Sequence, residues 1–348
     1  MSDIEVVSTP LVPGSAMAAE WDAWLTHQGP RAGFLQSSQW AAIDAALNGA
    51  GTQLVVARRG EVLAAGALLR TRGSRWASGV AADCHDGPVL GDDHEATERL
   101  LDEIDRFAAA AGAETVRLSP PATAAAALDG PGVADLLARS GYDRLPWLTR
   151  LVDIAADDAT LAASFTRTAR KAVRRAAEEG VLCVRCADKE EFLRLFARGY
   201  AEIAGAQARE RLSRLWELDA ARAYRFFVAT DAAGAVLATL GTYRFNGVAT
   251  EVMSGRTPAG LAAGAPAQDL LHLEALRAHR DEGDRLFDLA GYAPVPADDR
   301  QAGIRRFKEK FGGVEVEVGR YERSRSPVVL RGLRGLRGRL GALRARSR

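Results

Sequence analysis

At 348 residues the chain is too long for one ordinary core and points to about two domains. Its 47% apolar and 26% charged residues exclude a disordered chain, and no eighteen uninterrupted apolar residues occur, which excludes a membrane-spanning helix. The formal net charge of +1 hides an uneven spread: from Arg323 onward there are nine arginines and no carboxylate, so the body is net acidic and the end basic.

Apolar spacing and turn residues then lay out the elements in chain order. A helix is expected over "QWAAIDAAL", followed by two strands in "TQLVVARRGEVLAAGALLRT" that turn at Arg59-Gly60. Next come a short strand "GPVL", a helix "EATERLLDEIDRFAAAAG" and a strand "TVRLSP". At "LVDIAADDATLAASF" a strand gives way to a helix, and the order begins again. A helix "KEEFLRLFARGYAEIAG" precedes a hairpin in "YRFFVATDAAGAVLATLGTYRFNG", turning at Ala233-Gly234. The strand "VATEVMSG", the helix "APAQDLLHLEALRAHRDEG" and the strand "RLFDLAG" complete the second copy. Two copies of one mixed unit indicate an internal duplication. Last comes "GIRRFKEKFGGVEVEVG": a helix, a Gly-Gly turn and an alternating strand.

Three cysteines, Cys84, Cys183 and Cys186, are too few for a disulfide framework, and "MSDIEVVSTPLVPG" lacks the basic start and apolar run of an export signal. A reducing cytoplasm is the expected compartment. "VLCVRC" reads as a strand, which sends Cys183 and Cys186 to opposite faces and argues against a shared metal. His272 and Glu274 lack the later Pro-Cys-x-x-Cys of a zinc deaminase. No Walker loop, G-x-G-x-x-G or G-x-S-x-G elbow occurs. His85, before Asp86, is either a base or a turn residue.

Two features carry chemistry. Arg167, Arg170, Lys171, Arg174 and Arg175 fall at i, i+3, i+4, i+7 and i+8, so five cations line one helix face, with Ala169, Ala172, Val173 and Ala176 on the other. Such a stripe is either a track for RNA phosphates or a solvated face partly neutralised by Glu178 and Glu179. Lys308 lies between Phe307 and Phe311, which share an apolar helix face. It is either a snorkelling lysine or a cation kept in a dry site.

The hairpin, strand, helix, strand order preceded by helices is that of the GNAT acyltransferase fold, and two such units resemble the FemABX family of aminoacyl-tRNA-dependent peptidoglycan aminoacyltransferases. The resemblance runs over nearly the whole chain and rests on "FLQSSQW", "HDGPVLGD", "TRTARKAVRRAAEEGVLCVR", "LFDLAGY" and "GIRRFKEKFGG". It implies an α/β (α+β) chain of two tandem GNAT-like domains with mixed central sheets. Residues 1–155 would form the first, completed by about 318–348, and 156–317 the second, with 323–348 as a basic Arg/Gly/Leu tail. It implies that Lys308 stabilises the charge of the carbonyl under attack, with Phe307 as its low-dielectric wall. Trp40, Arg211, Asp288 and Tyr292 would bind substrate, and Arg167, Arg170, Lys171, Arg174 and Arg175 would face tRNA. No metal or bound cofactor is implied; aminoacyl-tRNA is the co-substrate.

Departures from the family concern the acceptor. Ala41, Ala42 and Asp44 follow Trp40 where relatives acting on the nucleotide-linked precursor carry lysines, "ATEVMSG" replaces strand aromatics, and Ser119 stands where an acid is expected before Pro120. No coiled-coil arm interrupts the second unit. The expected reaction moves an amino acid from aminoacyl-tRNA to an amine of a peptidoglycan-precursor stem peptide, lipid-linked or nucleotide-linked. The competing reading is an N-acyltransferase using acyl-coenzyme A, or tRNA-dependent amide formation in natural-product biosynthesis; the glycines of "GRTPAGLAAGAPAQ" stand one residue off a coenzyme A loop. A third is a non-catalytic RNA or membrane adaptor. The tail spaces Leu330, Leu333, Leu336, Leu340 and Leu343 for a helix but carries four glycines. It is either a plain basic end or a peripheral contact with the anionic inner face of the plasma membrane.

Overall fold

The computed structural model describes residues 3–49, 51–73, 80–127, 132–219 and 222–325. The first unit opens with β1 (Ile4–Pro10), α1 (Ala16–His27), α2 (Ser38–Asn48), β2 (Thr52–Arg59) and β3 (Val62–Gly73). It continues through β4 (Val80–His85), β5 (Val89–Leu90), α3 (His94–Ala110), β6 (Ala113–Ser119), α4 (Ala122–Ala127), α5 (Gly132–Arg139) and β7 (Asp143–Asp153). The second begins with α6 (Asp158–Ser164), α7 (Arg167–Glu178), β8 (Leu182–Arg185), α8 (Lys189–Glu191), a π-helical stretch Phe192–Ala197, α9 (Arg198–Ala204) and α10 (Gln207–Asp219). It then runs through β9 (Tyr224–Thr230), β10 (Val236–Phe245), β11 (Val248–Arg256), α11 (Pro258–Ala263), α12 (Ala267–Asp281), β12 (Leu286–Asp288), α13 (Asp299–Glu309) and β13 (Val314–Ser324).

Instead of two separate sheets, the described strands form one, in the order β1-β2-β3-β4-β6-β13-β7-β12-β11-β10-β9-β8, with β5 on β3. Inward from either edge the pattern is the same. An edge strand lies antiparallel on a hairpin, β1 on β2-β3 and β8 on β9-β10, and a third antiparallel strand follows, β4 or β11. A helical crossover then delivers a parallel neighbour, α3 bringing β6 beside β4 and α12 bringing β12 beside β11. The units interlock at the centre: β7 pairs with β12, while β13 pairs with β7 and, from Tyr321 to Ser324, with β6.

The crossover helices form because their apolar residues recur at helical spacing and Asp93 caps α3. α3 buries Leu100, Leu101 and Ile104 against β2 and β6; α12 buries Leu271, Leu273, Ala275 and Leu276 under the second half of the sheet. On the opposite sheet face Phe34, from the segment before α2, is 1% exposed and packs on Tyr224, Tyr243 and Phe245 at 5.7, 5.2 and 6.3 Å between centroids. Aromatic pairs of this kind add about 0.5–1.5 kcal/mol each beyond area burial. The first unit is thereby fastened across the second unit's sheet.

Candidate active site

The site begins where a sheet comes apart. β11 and β12 pair only through Val248–Leu286, Ala249–Phe287 and Thr250–Asp288. Beyond Asp288 the chain turns onto β7, with Leu289 N donating to Arg150 O at 3.1 Å and Tyr292 N to Leu148 O at 2.7 Å, while β11 runs on to Arg256 beside β10. A gap opens between Glu251 on one wall and Asp288 to Ala290 on the other. Asp288 makes the turn: its Oδ1 accepts from Ala290 N at 2.8 Å and from Thr149 Oγ1 at 2.5 Å. That local bond supports Ala290 at φ +61°, a region alanine rarely enters.

Lys308 enters this gap from α13. It is 7% exposed, and its Nζ donates to the Ala290 carbonyl at 3.0 Å. The helix is stopped by Gly312 and Gly313 at φ +73° and +70°; a Cβ there would stand 2.6 Å from Ser164 O and 2.5 Å from Leu151 O, so only glycine fits. The Arg150 guanidinium donates to both glycine carbonyls, at 2.8 and 2.9 Å. Phe311, fully buried, stacks on His272 at 4.8 Å, and half-buried Phe307 meets both rings at 5.0 and 5.1 Å. Lys308 is therefore buried on the helix that carries these rings, with its Nζ held by one carbonyl among the described residues.

Burial lowers the Lys308 ammonium below the ordinary lysine value, against the opposing charges of Glu251 and then Asp288. Burial acts to raise Glu251, but His272, Lys308 and Ser254 together hold it below its usual value. Asp288 is raised, by burial above all, against its bonds from Thr149 and Ala290 and the charge of Lys308. Buried His272 faces Gln268 O from Nδ1 at 2.8 Å and Glu251 Oε2 from Nε2 at 3.3 Å. The Gln268 carbonyl can only accept, so Nδ1 donates to it, and Nε2 faces the Glu251 carboxylate. Lys308 is thus a buried cation beside the gap, and a cation in a low-dielectric site stabilises developing negative charge far better than one in water.

Lysine is itself a rare choice here: Lys171, Lys189, Lys308 and Lys310 are the only lysines among the 46 basic residues. A compact ammonium can be buried with one anchoring acceptor, whereas a guanidinium brings five donors in a rigid fork. Lys310 turns the other way, to Asp269 at 2.5 Å and over the Phe307 ring at 4.5 Å.

Of the residues expected from the sequence, Lys308, Phe307 and Asp288 meet at the gap. Tyr292 is buried on the β13 side and donates its hydroxyl to Glu315 at 2.7 Å, and its phenol is pushed up to about 12, by burial first. Trp40 packs on Phe34 at 6.1 Å, above buried Asp44, which pairs with Arg70 at 2.6 Å. Exposed Arg211 lies on α10, which packs on α2 through Arg214 to Ala46 O and Gln39 to Asp219, both at 2.7 Å. Its charge reaches Tyr224, which lies in register with Tyr243, Thr250 and Asp288 across β9 to β12. Arg167, Arg170, Lys171, Arg174 and Arg175 are all exposed, while Ala169 and Ala176 are buried. Arg170 turns onto the Ala163 and Phe165 carbonyls and Arg175 pairs with Glu179; Arg167, Lys171 and Arg174 have no partner among the described residues.

Sequence reasoning passed over Glu251, Thr149, Tyr243 and Asp86, and weighed His272 only as a metal ligand before setting it aside. Cys183 packs on the α12 face of the sheet and Cys186 on the other; burial pushes both thiols up to about 12. A cavity of about 290 Å³ lined by Arg185, Cys186, Trp216, Tyr224, Arg225 and Phe226 shares no residue with the Lys308 gap. In the glycine-rich stretch, α11 folds within the loop, Gly260 is pressed so close to Leu237 O that a Cβ would stand at 2.0 Å, and Gly260 N bonds Thr257 Oγ1. Asp269 stands in the first turn of α12. Among the described residues no cluster of three His, Cys, Asp or Glu side chains could hold a metal, and no helix is long and apolar enough to cross a membrane. Most of the basic tail, from residue 326 on, lies outside the described residues.

Residues 163–319 match the family model of an acetyltransferase (GNAT) domain. Over 91% of this chain and 96% of the other, the fold is similar to the crystal structure of FemX, with a TM-score of 0.71 and 15% identity. A tandem GNAT protein from the clavulanic acid biosynthesis pathway matches over 93% of this chain and 100% of its own, with a TM-score of 0.58 and 14% identity. The chain has a tandem GNAT fold and is an acyl-transfer enzyme. L-PGS from Bacillus licheniformis is similar over 96% and 98% of the two chains, with a TM-score of 0.56 and 14% identity. No curated protein sequence matches.

Proposed function

We propose that the enzyme moves an amino acid from aminoacyl-tRNA to an amine of a peptidoglycan-precursor stem peptide. The observation that carries this is the Lys308 ammonium, buried at the parting of β11 and β12 and, among the described residues, hydrogen-bonded to the Ala290 carbonyl alone. An amine adding to an aminoacyl ester passes through a tetrahedral oxyanion, and a fixed cation in a water-poor gap lowers that barrier. Phe307 is the low-dielectric wall, and Trp40, Arg211, Asp288 and Tyr292 are the substrate-side residues. The FemX-like fold and the sequence motifs support the donor class. The unpaired cations of α7 support an RNA partner, and this helix starts beside α13, with Thr166 N donating to Lys310 O at 2.9 Å. The enzyme would work in the cytoplasm, peripheral to the membrane if the basic tail meets anionic lipid.

The acetyltransferase description of residues 163–319 favours acyl-coenzyme A as the second reading. Against it stands the loop before α12. Gly260 packs against Leu237 and Gly255 against Ile203, and Asp269 sets a carboxylate at the helix N-terminus where phosphates would bind. The test is transfer of label from charged tRNA to nucleotide-linked or lipid-linked precursor. RNase-sensitive labelling of the stem peptide is expected; labelling from acetyl-coenzyme A instead would establish the second reading.

A further inference from the structure

The acyl-transfer reading leaves one proton unassigned, that of the attacking amine. Glu251 is engaged by Ser254 and His272, and Asp288 spends Oδ1 on Thr149 and Ala290. A third carboxylate reaches the site from the first unit. Asp86 follows β4 and holds φ +54°, a conformation that costs a non-glycine residue strain and persists where the surroundings impose it. Its Oδ2 accepts from Leu35 N and from Tyr243 Oη, both at 3.2 Å. Gly33 makes room, since a Cβ there would stand 2.4 Å from that oxygen. Oδ1 has no hydrogen-bond donor among the described residues.

Tyr243, Thr250 and Asp288 stand in register on β10, β11 and β12, so their side chains share a face. At about 4.8 Å per strand, the row from Asp86's tyrosine to the turn that anchors Lys308 is about 10 Å wide. An amine nitrogen, the carbonyl carbon and its oxygen, hydrogen-bonded at both ends, span roughly 8 Å. We infer that Asp86 is the general base of the second unit's site, taking the proton of the attacking amine while Lys308 holds the oxyanion; this rests on the acyl-transfer reading. The nitrogen lone pair forms the C–N bond and the carbonyl π electrons move to oxygen. The N–H proton passes to Oδ1, and on collapse the bond to the leaving oxygen breaks and Asp86 returns the proton to it. The carboxylate ends as it began.

The surroundings suit the role. Burial pushes the Asp86 carboxyl up to about 6 and Asp288's charge adds to this, against the bonds from Leu35 and Tyr243. The other titratable groups near it are Tyr224 on β9 and, on its own strand, Cys84 and His85. A carboxylate so tuned is ionised at neutral pH and still basic enough to accept a proton.

Asp86→Asn keeps an oxygen for Leu35 and Tyr243. With a pool of labelled aminoacyl-tRNAs, acetyl-coenzyme A in a parallel arm and nucleotide-linked stem pentapeptide as acceptor, the variant should lose about 10²–10⁴-fold in kcat with KM little changed. The acidic limb of the wild-type rate profile, near pH 6, should vanish. A variant with wild-type kcat, or with that limb intact, overturns the base assignment and leaves acyl transfer standing. A wild type inert toward every donor sinks the acyl-transfer reading, and the inference with it.

Discussion

The two units carry a parallel strand pair at the same point, and the pairs end differently. In the first, β4 and β6 stay paired from Val80–Ala113 to His85–Ser119, and Gly87 and Ser119 extend the contact with reciprocal bonds of 3.1 and 2.9 Å. Ala82, Cys84, Val116 and Leu118 fill it with buried side chains, and the helix that follows β6 is the alanine-rich α4. In the second, β11 and β12 part after three pairs, and the helix that follows β12 delivers Lys308. A closed parallel pair satisfies its own backbone groups and is scaffold. An open one leaves a slot that must be furnished, and here it holds an ammonium, two carboxylates and a histidine. The first unit contributes from outside the slot, through Phe34 and Asp86.

The largest expected effect comes from emptying the slot. Lys308→Met should lower kcat by about 10²–10³-fold, roughly 2.7–4 kcal/mol in the barrier, as for loss of one oxyanion donor. Its melting temperature should not fall, because an apolar chain of similar length replaces a charge that burial disfavours. Turnover that survives the change would mean that chemistry is done elsewhere.

The converse belongs to the closed pair. Val116→Ala removes two buried methyl groups from β6 and should cost about 2 kcal/mol of stability, seen as a lower urea midpoint. The kcat of the folded fraction should stay at the wild-type value. A fall in kcat would mean that the closed pair does more than carry Asp86 at its end.

Smaller in size, but more diagnostic, is Glu251→Gln. Glu251 favours the charged form of Lys308, so losing it lowers the ammonium pKa further. The catalytic form is protonated and is lost as pH rises through that pKa. The basic limb of the rate profile should therefore move to lower pH, with little change on the acidic side. An unmoved basic limb would separate Lys308 from the titration.

The repeated architecture was legible because its carriers are strongly periodic: α3 and α12 show apolar faces, and the hairpins turn at Gly60 and Gly234, both at positive φ. α1 escaped notice because its buried Trp21 and Leu25 are diluted by alanines, and β1 because its burial is partial. Lys308 was legible through its motif, and the near absence of lysine elsewhere marks it too. The rest of the slot was not. Glu251 and His272 meet only because β11 and α12 fold together, and the parting of β11 from β12 depends on where backbone pairing ends, which no local propensity encodes. Asp86 is set by a positive φ and by a partner 157 residues away.

The smallest effect concerns the α7 stripe, where the comparison can be sharpened without touching the slot. Lys171 and Arg174 point to solvent without partners among the described residues, whereas Arg170 caps local carbonyls and Arg175 is paired with Glu179 at 2.6 Å. Lys171→Glu with Arg174→Glu should therefore weaken tRNA binding more than reversal of Arg170 and Arg175. Each lost phosphate contact lowers the slope of log affinity against log salt by about 0.7–0.9. With aminoacyl-tRNA as donor KM should rise while kcat at saturation holds, the opposite split from Lys308→Met. If neither KM nor the salt slope moves, the RNA approaches from another face, and the helix that begins beside α13 only braces the slot.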